Sequence, residues 1–188
     1  MKLAVIFPGV GYHTDKPLLY YSKKIAQNLG FEIVEVPYGG FEQNIKGSAE
    51  KMRAAFESAL AQAEQILKDV SFDQYDKVLF ISKSVGTAVA SAYARKHHCA
   101  GYHVYYTPVE ASFEAMYEEG IVFYGSADPW AAADKLEQGC RRKNLPYHVY
   151  EGANHSLETG DVKTDLQNLS DIMEKTESYI RSMESKRE

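Results

Sequence analysis

The chain has 188 residues, 45% hydrophobic and 25% charged, with a net charge of −5 at pH 7. That size and balance suit an ordinary globular protein with a real core, so residues 1–188 are expected to form one domain. The acidic surplus argues against a nucleic-acid partner, and no apolar run approaches the ~20 residues of a membrane span.

The apolar start, Leu3 to Phe7, ends at Pro8-Gly9. It is too short for the core of a secretory signal and reads as a buried strand. A helical pattern follows over 17–29, then a strand over 31–37. The connection 38–47, with Gly39-Gly40-Phe41, is the longest in the chain. The next helix, 49–70, shows its inner face as Met52, Ala55, Phe56, Ala59, Leu60, Ala63 and Leu67, recurring at helical spacing. A strand over 77–81 runs into a helix over 85–97. Strands over 102–106, 121–124 and 147–150 then alternate with helices over 111–119, 131–143 and 161–183. Such alternation predicts a parallel sheet with right-handed crossovers. The fold class is therefore α/β: a three-layer α/β/α sandwich of about six mostly parallel strands. In such a sheet the connection 38–47 falls at the carboxyl edge, where ligands bind. The charged end, 184–188, is expected to fray. Cys99 and Cys140 have no metal-type spacing; no metal is expected, and a reducing, cytoplasmic setting fits.

The junction at 80–87 carries the chemistry. An apolar strand enters Ser82-Lys83-Ser84-Val85-Gly86, and a helix starts at once. Strand, sharp turn and helix are the context of a nucleophile elbow, in which a helix start aims N–H groups at Ser84. Ser82 stands where the usual motif has Gly, and keeps the small size required there. Acyl transfer by serine also needs a base and a carboxylate that orients it. Two later strands end in such groups. One runs into Gly125-Ser126-Ala127-Asp128-Pro129-Trp130, the other into Gly152-Ala153-Asn154-His155. Asp128 lies 44 residues after Ser84, and His155 lies 27 after Asp128. Each interval accommodates a helix, a strand and loops, so all three residues are expected on one edge of the sheet.

Over nearly its full length the chain resembles the α/β-hydrolase superfamily, in a minimal carboxylesterase-like or dienelactone-hydrolase-like form without the first two strands. Three local signatures carry the resemblance: the elbow, the acid loop and the histidine loop, in that order. It implies hydrolysis of a small carboxylic ester or thioester by Ser84, His155 and Asp128 through an acyl-enzyme, with no cofactor. It also implies an oxyanion hole made by the N–H of Val85 and a second N–H from the loop Pro8-Gly9-Val10-Gly11-Tyr12. By alignment Val10 gives the second donor, with Gly11 and Tyr12 as alternatives; Pro8 replaces a frequent His. Candidate substrate contacts are Gly11, Tyr12, His13, Tyr38, Phe41 and Trp130. Many relatives carry a lid after the strand at 102–106, whereas Thr107-Pro108-Val109-Glu110 has room only for a turn. An open site for small soluble substrates is expected.

Other readings compete. Ser84 could be a plain helix N-cap. His13 could be a solvated loop residue, and Trp130 reads equally as core or pocket wall. His103 and His148 fall inside strands and read as packed. His97-His98-Cys99 is a poor metal motif, since neighbours on a helix diverge around its axis. Ser48-x-x-Lys51 matches a pattern of penicillin-recognising enzymes by chance. The competing function is a non-catalytic small-molecule binder on the same scaffold. The sequence leaves the oligomeric state open.

Overall fold

The computed structural model describes residues 1–42, 45 and 48–185. Six strands form one parallel sheet: β1 (Lys2–Phe7), β2 (Glu32–Glu35), β3 (Lys77–Lys83), β4 (Tyr102–Tyr106), β5 (Gly120–Gly125) and β6 (Tyr147–Tyr150), in the order β2-β1-β3-β4-β5-β6. Five α-helices cover it: α1 (Pro17–Asn28), α2 (Ala49–Leu67), α3 (Val85–Lys96), α4 (Ala133–Arg142) and α5 (Val162–Ser185).

Alternation along the strands builds two cores, because successive side chains point to opposite faces. Ala4, Ile6, Leu79, Ile81, Val104 and Phe123 meet α1 and α5 through Leu18, Leu19, Ile172 and Ile180. Leu3, Val5, Phe7, Val78 and Phe80 meet α2 and α3 through Ala59, Ala63, Val89 and Ala94. Beyond them, Tyr105, Val122 and Tyr124 pack on Leu136 and Cys140 of α4. The central strands are buried on both faces, as their continuous apolar runs predict. Only the edge strands β2 and β6 are partly open.

Three differences from the sequence reading have local causes. The expected helix over 111–119 is only a 3-10 turn, Glu110–Glu114. Arg95 donates to the carbonyls of Ala115 and Met116, and Lys143 also donates to Met116. Tyr105 Oη accepts the Tyr117 N–H. Those groups are the ones a longer helix would have used. The expected strand over 31–37 shortens to β2, although the Val36 N–H still reaches the Ile6 carbonyl at 3.0 Å. The strand expected to stop at Ile81 runs on to Lys83, paired with β4 as far as Tyr106.

Two bland sequence readings are resolved. Ser48 is the N-cap of α2, its Oγ accepting the Lys51 N–H at 3.3 Å. His97 closes α3, stacked on Tyr93 and 3.6 Å from Glu64 on α2. Among the described residues no cluster of His, Cys, Asp and Glu is arranged to hold a metal, and no helix is long and apolar enough to cross a membrane.

The chain passes from β1 to β2 on one side, then returns to place β3 on the other side of β1. Phe7 of β1 lies in register with Ser82 of β3. The carboxyl ends of these strands therefore bring the turn after β1 beside Ser84. Such a reversal in strand order opens a crevice where ligands bind in parallel sheets.

Candidate active site

Ser84 joins β3 to α3 with φ 55° and ψ −126°. L-residues rarely adopt that backbone, and holding it costs of order 1–3 kcal/mol. Neighbouring groups hold it in place. The Ser84 N–H donates to the Tyr106 carbonyl at 2.9 Å, and the Ser84 carbonyl accepts from the Thr87 N–H (2.9 Å) and Thr87 Oγ1 (2.6 Å). Gly86 is required by close approach: a Cβ there would lie 2.4 Å from the Pro8 carbonyl oxygen and 2.6 Å from that of Phe7. Ser82 is fully buried and donates to the Val104 carbonyl at 3.2 Å, so it locks the strand end to β4.

His155 and Asp128 arrive from the loops after β6 and β5. His155 Nε2 lies 2.7 Å from Ser84 Oγ, and His155 Nδ1 lies 2.6 Å from Asp128 Oδ2. Asp128 Oδ1 accepts the Trp130 N–H at 2.8 Å. The Trp130 ring stacks on the His155 imidazole, centroids 5.2 Å apart and planes 16° from parallel. Trp130 is half-buried against the His155 ring. The two loops are tied to each other. Ser126 Oγ accepts the Gly152 N–H at 2.8 Å, and the Ala127 N–H donates to the Ala153 carbonyl at 3.0 Å. Gly125 lets them meet, since a Cβ there would stand 2.0 Å from the Ala153 oxygen. Asn154 Oδ1 accepts the N–H groups of Ser156 (2.7 Å) and Glu158 (3.3 Å), which braces the turn carrying His155.

Gly9-Val10-Gly11-Tyr12 is a tight turn closed by two bonds, Gly9 N–H to Tyr12 O at 3.1 Å and Tyr12 N–H to Gly9 O at 3.2 Å. Gly11 has φ 74°, the left-handed residue that a type II turn takes at its third position. A Cβ on Gly9 would come within 3.1 Å of Ser84 Cβ, so the turn packs against the elbow. Tyr12 is a correction. Its N–H is already bonded, its Oη accepts the Leu18 N–H at 3.1 Å, and its ring is buried. It is neither an available oxyanion donor nor an open substrate contact. Val10 and Gly11 follow Gly9 in the same turn. Val85, as the first residue of α3, has an N–H outside the helical ladder. Gly11, His13, Tyr38 and Phe41 line one cavity of about 270 Å³ with Pro8 and Gly9. Tyr38 Oη donates to the Pro8 carbonyl and its ring meets Phe41 edge-on at 5.9 Å. His13 is exposed at this cavity. Of the connection 38–47, residues 43, 44, 46 and 47 lie outside the described residues.

Sequence reading missed Lys83. Its side chain is fully buried beneath the site; Nζ donates to the His155 carbonyl at 2.7 Å and lies 4.8 Å from the centre of the Tyr12 ring. It thereby links the elbow, the histidine loop and the turn after β1. The signal was a lysine continuing an apolar strand, since lysine is almost never fully buried without a partner. Its pKa is lowered to about 7, chiefly by burial, with Lys16 acting in the same direction and Asp128 and Glu158 opposing. An unfolded lysine titrates near 10.4. Between these values the unfolded chain binds more protons, so this group makes stability rise with pH from about 7 toward 10, and its cost is full below 7. Relative to Lys83→Met, the wild type should gain about 1 kcal/mol per pH unit across that window. Thermal unfolding of both proteins at pH 6, 7.5 and 9 checks it; a difference independent of pH contradicts a buried, titrating ammonium.

Neither a protein-family model nor a curated protein sequence matches the chain. Solved structures do. A serine hydrolase without a lid from Xanthomonas campestris aligns with TM-score 0.64 at 14% identity, over 97% of this chain and 82% of that one. Est1E from Butyrivibrio proteoclasticus, with ferulic acid bound, aligns with TM-score 0.71 at 9% identity, over 99% and 90%. An esterase of Pyrococcus furiosus aligns with TM-score 0.66 at 11% identity, over 96% and 82%. At such identities the likeness speaks for architecture alone. The chain has the α/β-hydrolase fold, in a small six-stranded form.

Proposed function

We propose that this protein is a serine hydrolase that cleaves a small carboxylic ester or thioester through an acyl-enzyme. One observation carries the reading: the unbroken relay Ser84 Oγ, His155 Nε2, His155 Nδ1 and Asp128 Oδ2, with bonds of 2.7 and 2.6 Å. Ser84 attacks the carbonyl carbon while His155 Nε2 takes its proton. The tetrahedral oxyanion accepts the N–H groups of Val85 and of Val10, with Gly11 beside it in the same turn. Each such donor contributes roughly 3–4 kcal/mol to the transition state. His155 then protonates the leaving alcohol as its bond to the carbonyl carbon breaks. Water, deprotonated by His155, attacks the acyl-enzyme and returns the serine. Asp128 holds the Nδ1 proton and stabilises the imidazolium. The steps use groups of this chain alone.

The names of similar structures, a lidless serine hydrolase and an esterase, support the same class. The connection after β4 holds one short 3-10 turn, Glu110–Glu114, in keeping with an open site. Purified protein should hydrolyse p-nitrophenyl acetate and be labelled at Ser84 by a fluorophosphonate. No turnover of short esters and no labelling would leave a non-catalytic binder on the same fold.

A further inference from the structure

A second cavity opens beside the elbow. It has a volume of about 440 Å³ and lies between α3, the start of α2 and the segment after β4. Val85 and Ala88, one turn apart on α3, form one wall; Met52 and Phe56 of α2 form the facing wall, and Val109 closes an end. Arg53 and Glu114 are the charged residues on its lining. The small side chain of Ala88 leaves the space that Met52 and Phe56 do not fill.

Its position relative to the reaction decides which part of a substrate it takes. Val85 supplies both a wall of the groove and, in the proposed mechanism, an oxyanion N–H. Val85 directly follows Ser84, so this end of the groove lies one residue along the chain from the nucleophile. The leaving alcohol must lie toward His155, which protonates it. No residue of the Asp128 or His155 loops lines the groove. The fragment lodged there stays on the serine when the alcohol departs.

We infer that this groove is an acyl-chain subsite, and that it selects esters of straight, medium-length fatty acids. The inference rests on the hydrolase reading above. A cavity of roughly 150 Å³ accepts a six-carbon ring such as benzene, so a groove of about three times that volume suits chains of about six to ten carbons. Acetyl groups leave it empty, and palmitoyl chains overrun it into solvent. Each methylene moved out of water is worth roughly fourfold in binding. Partial exposure of the groove reduces that figure.

The test is a chain-length series of p-nitrophenyl esters with wild type, Ala88→Phe and Met52→Trp. The two substitutions fill the groove from opposite walls, at half-buried positions. In the wild type, octanoate should exceed acetate in kcat/KM by about 100-fold and should exceed palmitate too. Either substitution should lower the octanoate-to-acetate ratio by about tenfold or more. Free octanoate should raise the wild-type melting temperature, acetate should not, and both variants should lose the effect. Turnover of acetate and octanoate at equal rates, with ratios unchanged in the folded variants, overturns the subsite and leaves the hydrolase reading standing. If no ester is turned over, the hydrolase reading fails. Octanoate stabilisation lost in both variants then still supports the groove as a fatty-acid site, and absence of stabilisation overturns it.

Discussion

Ser84→Ala should lower ester turnover by about 10⁶-fold, leaving only the residual acceleration that the oxyanion donors and substrate binding supply. Removing the nucleophile costs nearly as much as removing the whole relay, because no acyl-enzyme can form without it. Fluorophosphonate labelling should vanish with it. The fold should persist: the elbow is held by backbone bonds through the Ser84 N–H and carbonyl, and both remain in alanine. Kinetics, intact-protein mass spectrometry and thermal unfolding check the three parts. Labelling that survives would assign the nucleophile elsewhere. Ser82, nearest in sequence, is fully buried and donates to the Val104 carbonyl, so it is poorly placed to take over.

Asp128→Asn should lower kcat/KM by about 10⁴-fold. Here the geometry makes the reason specific. The Trp130 N–H lies 2.8 Å from Asp128 Oδ1 and needs an acceptor there. In the variant the amide oxygen takes that place, so the amide nitrogen faces His155 Nδ1. Nδ1 must then accept, the ring proton moves to Nε2, and Nε2 can no longer take the proton of Ser84. The fluorophosphonate labelling rate should fall with turnover, since both need the same base. A loss under tenfold would show that the carboxylate is not needed to set the tautomer. The leading role would then pass to the Trp130 stack as the element that orients the ring.

Much of the site was legible because its parts announce themselves locally. Ser84 sits between an apolar strand and a small-residue helix start. Asp128 and His155 each follow a strand by a few residues, and parallel strands deliver such residues to one edge. Gly86 marked a close approach, since a Cβ there would lie 2.4 Å from the Pro8 carbonyl oxygen. The helix expected over 111–119 misled for the opposite reason. Its residues favour a helix, but Arg95, Lys143 and Tyr105, all remote in sequence, bind the backbone groups that would have continued it.

Tyr12 and Lys83 show where local reading stops. Tyr12 was one of three adjacent residues that could donate to an oxyanion, and the closing bonds of its own turn removed it. Lys83 had no role in the sequence reading. Its place under the site depends on strand alternation, on Tyr12 and on a carbonyl 72 residues away.

The chain order of the six strands and of five of the six expected helices, the parallel sheet and the chain order Ser84, Asp128, His155 were legible in the sequence, because hydrophobic period and turn residues act over a few neighbours. The relay distances, the Trp130 stack, the buried Lys83 and the apolar groove beside Val85 were decided by tertiary structure. Each joins segments from different strands or helices. Packing, which no single segment encodes, sets how closely they approach.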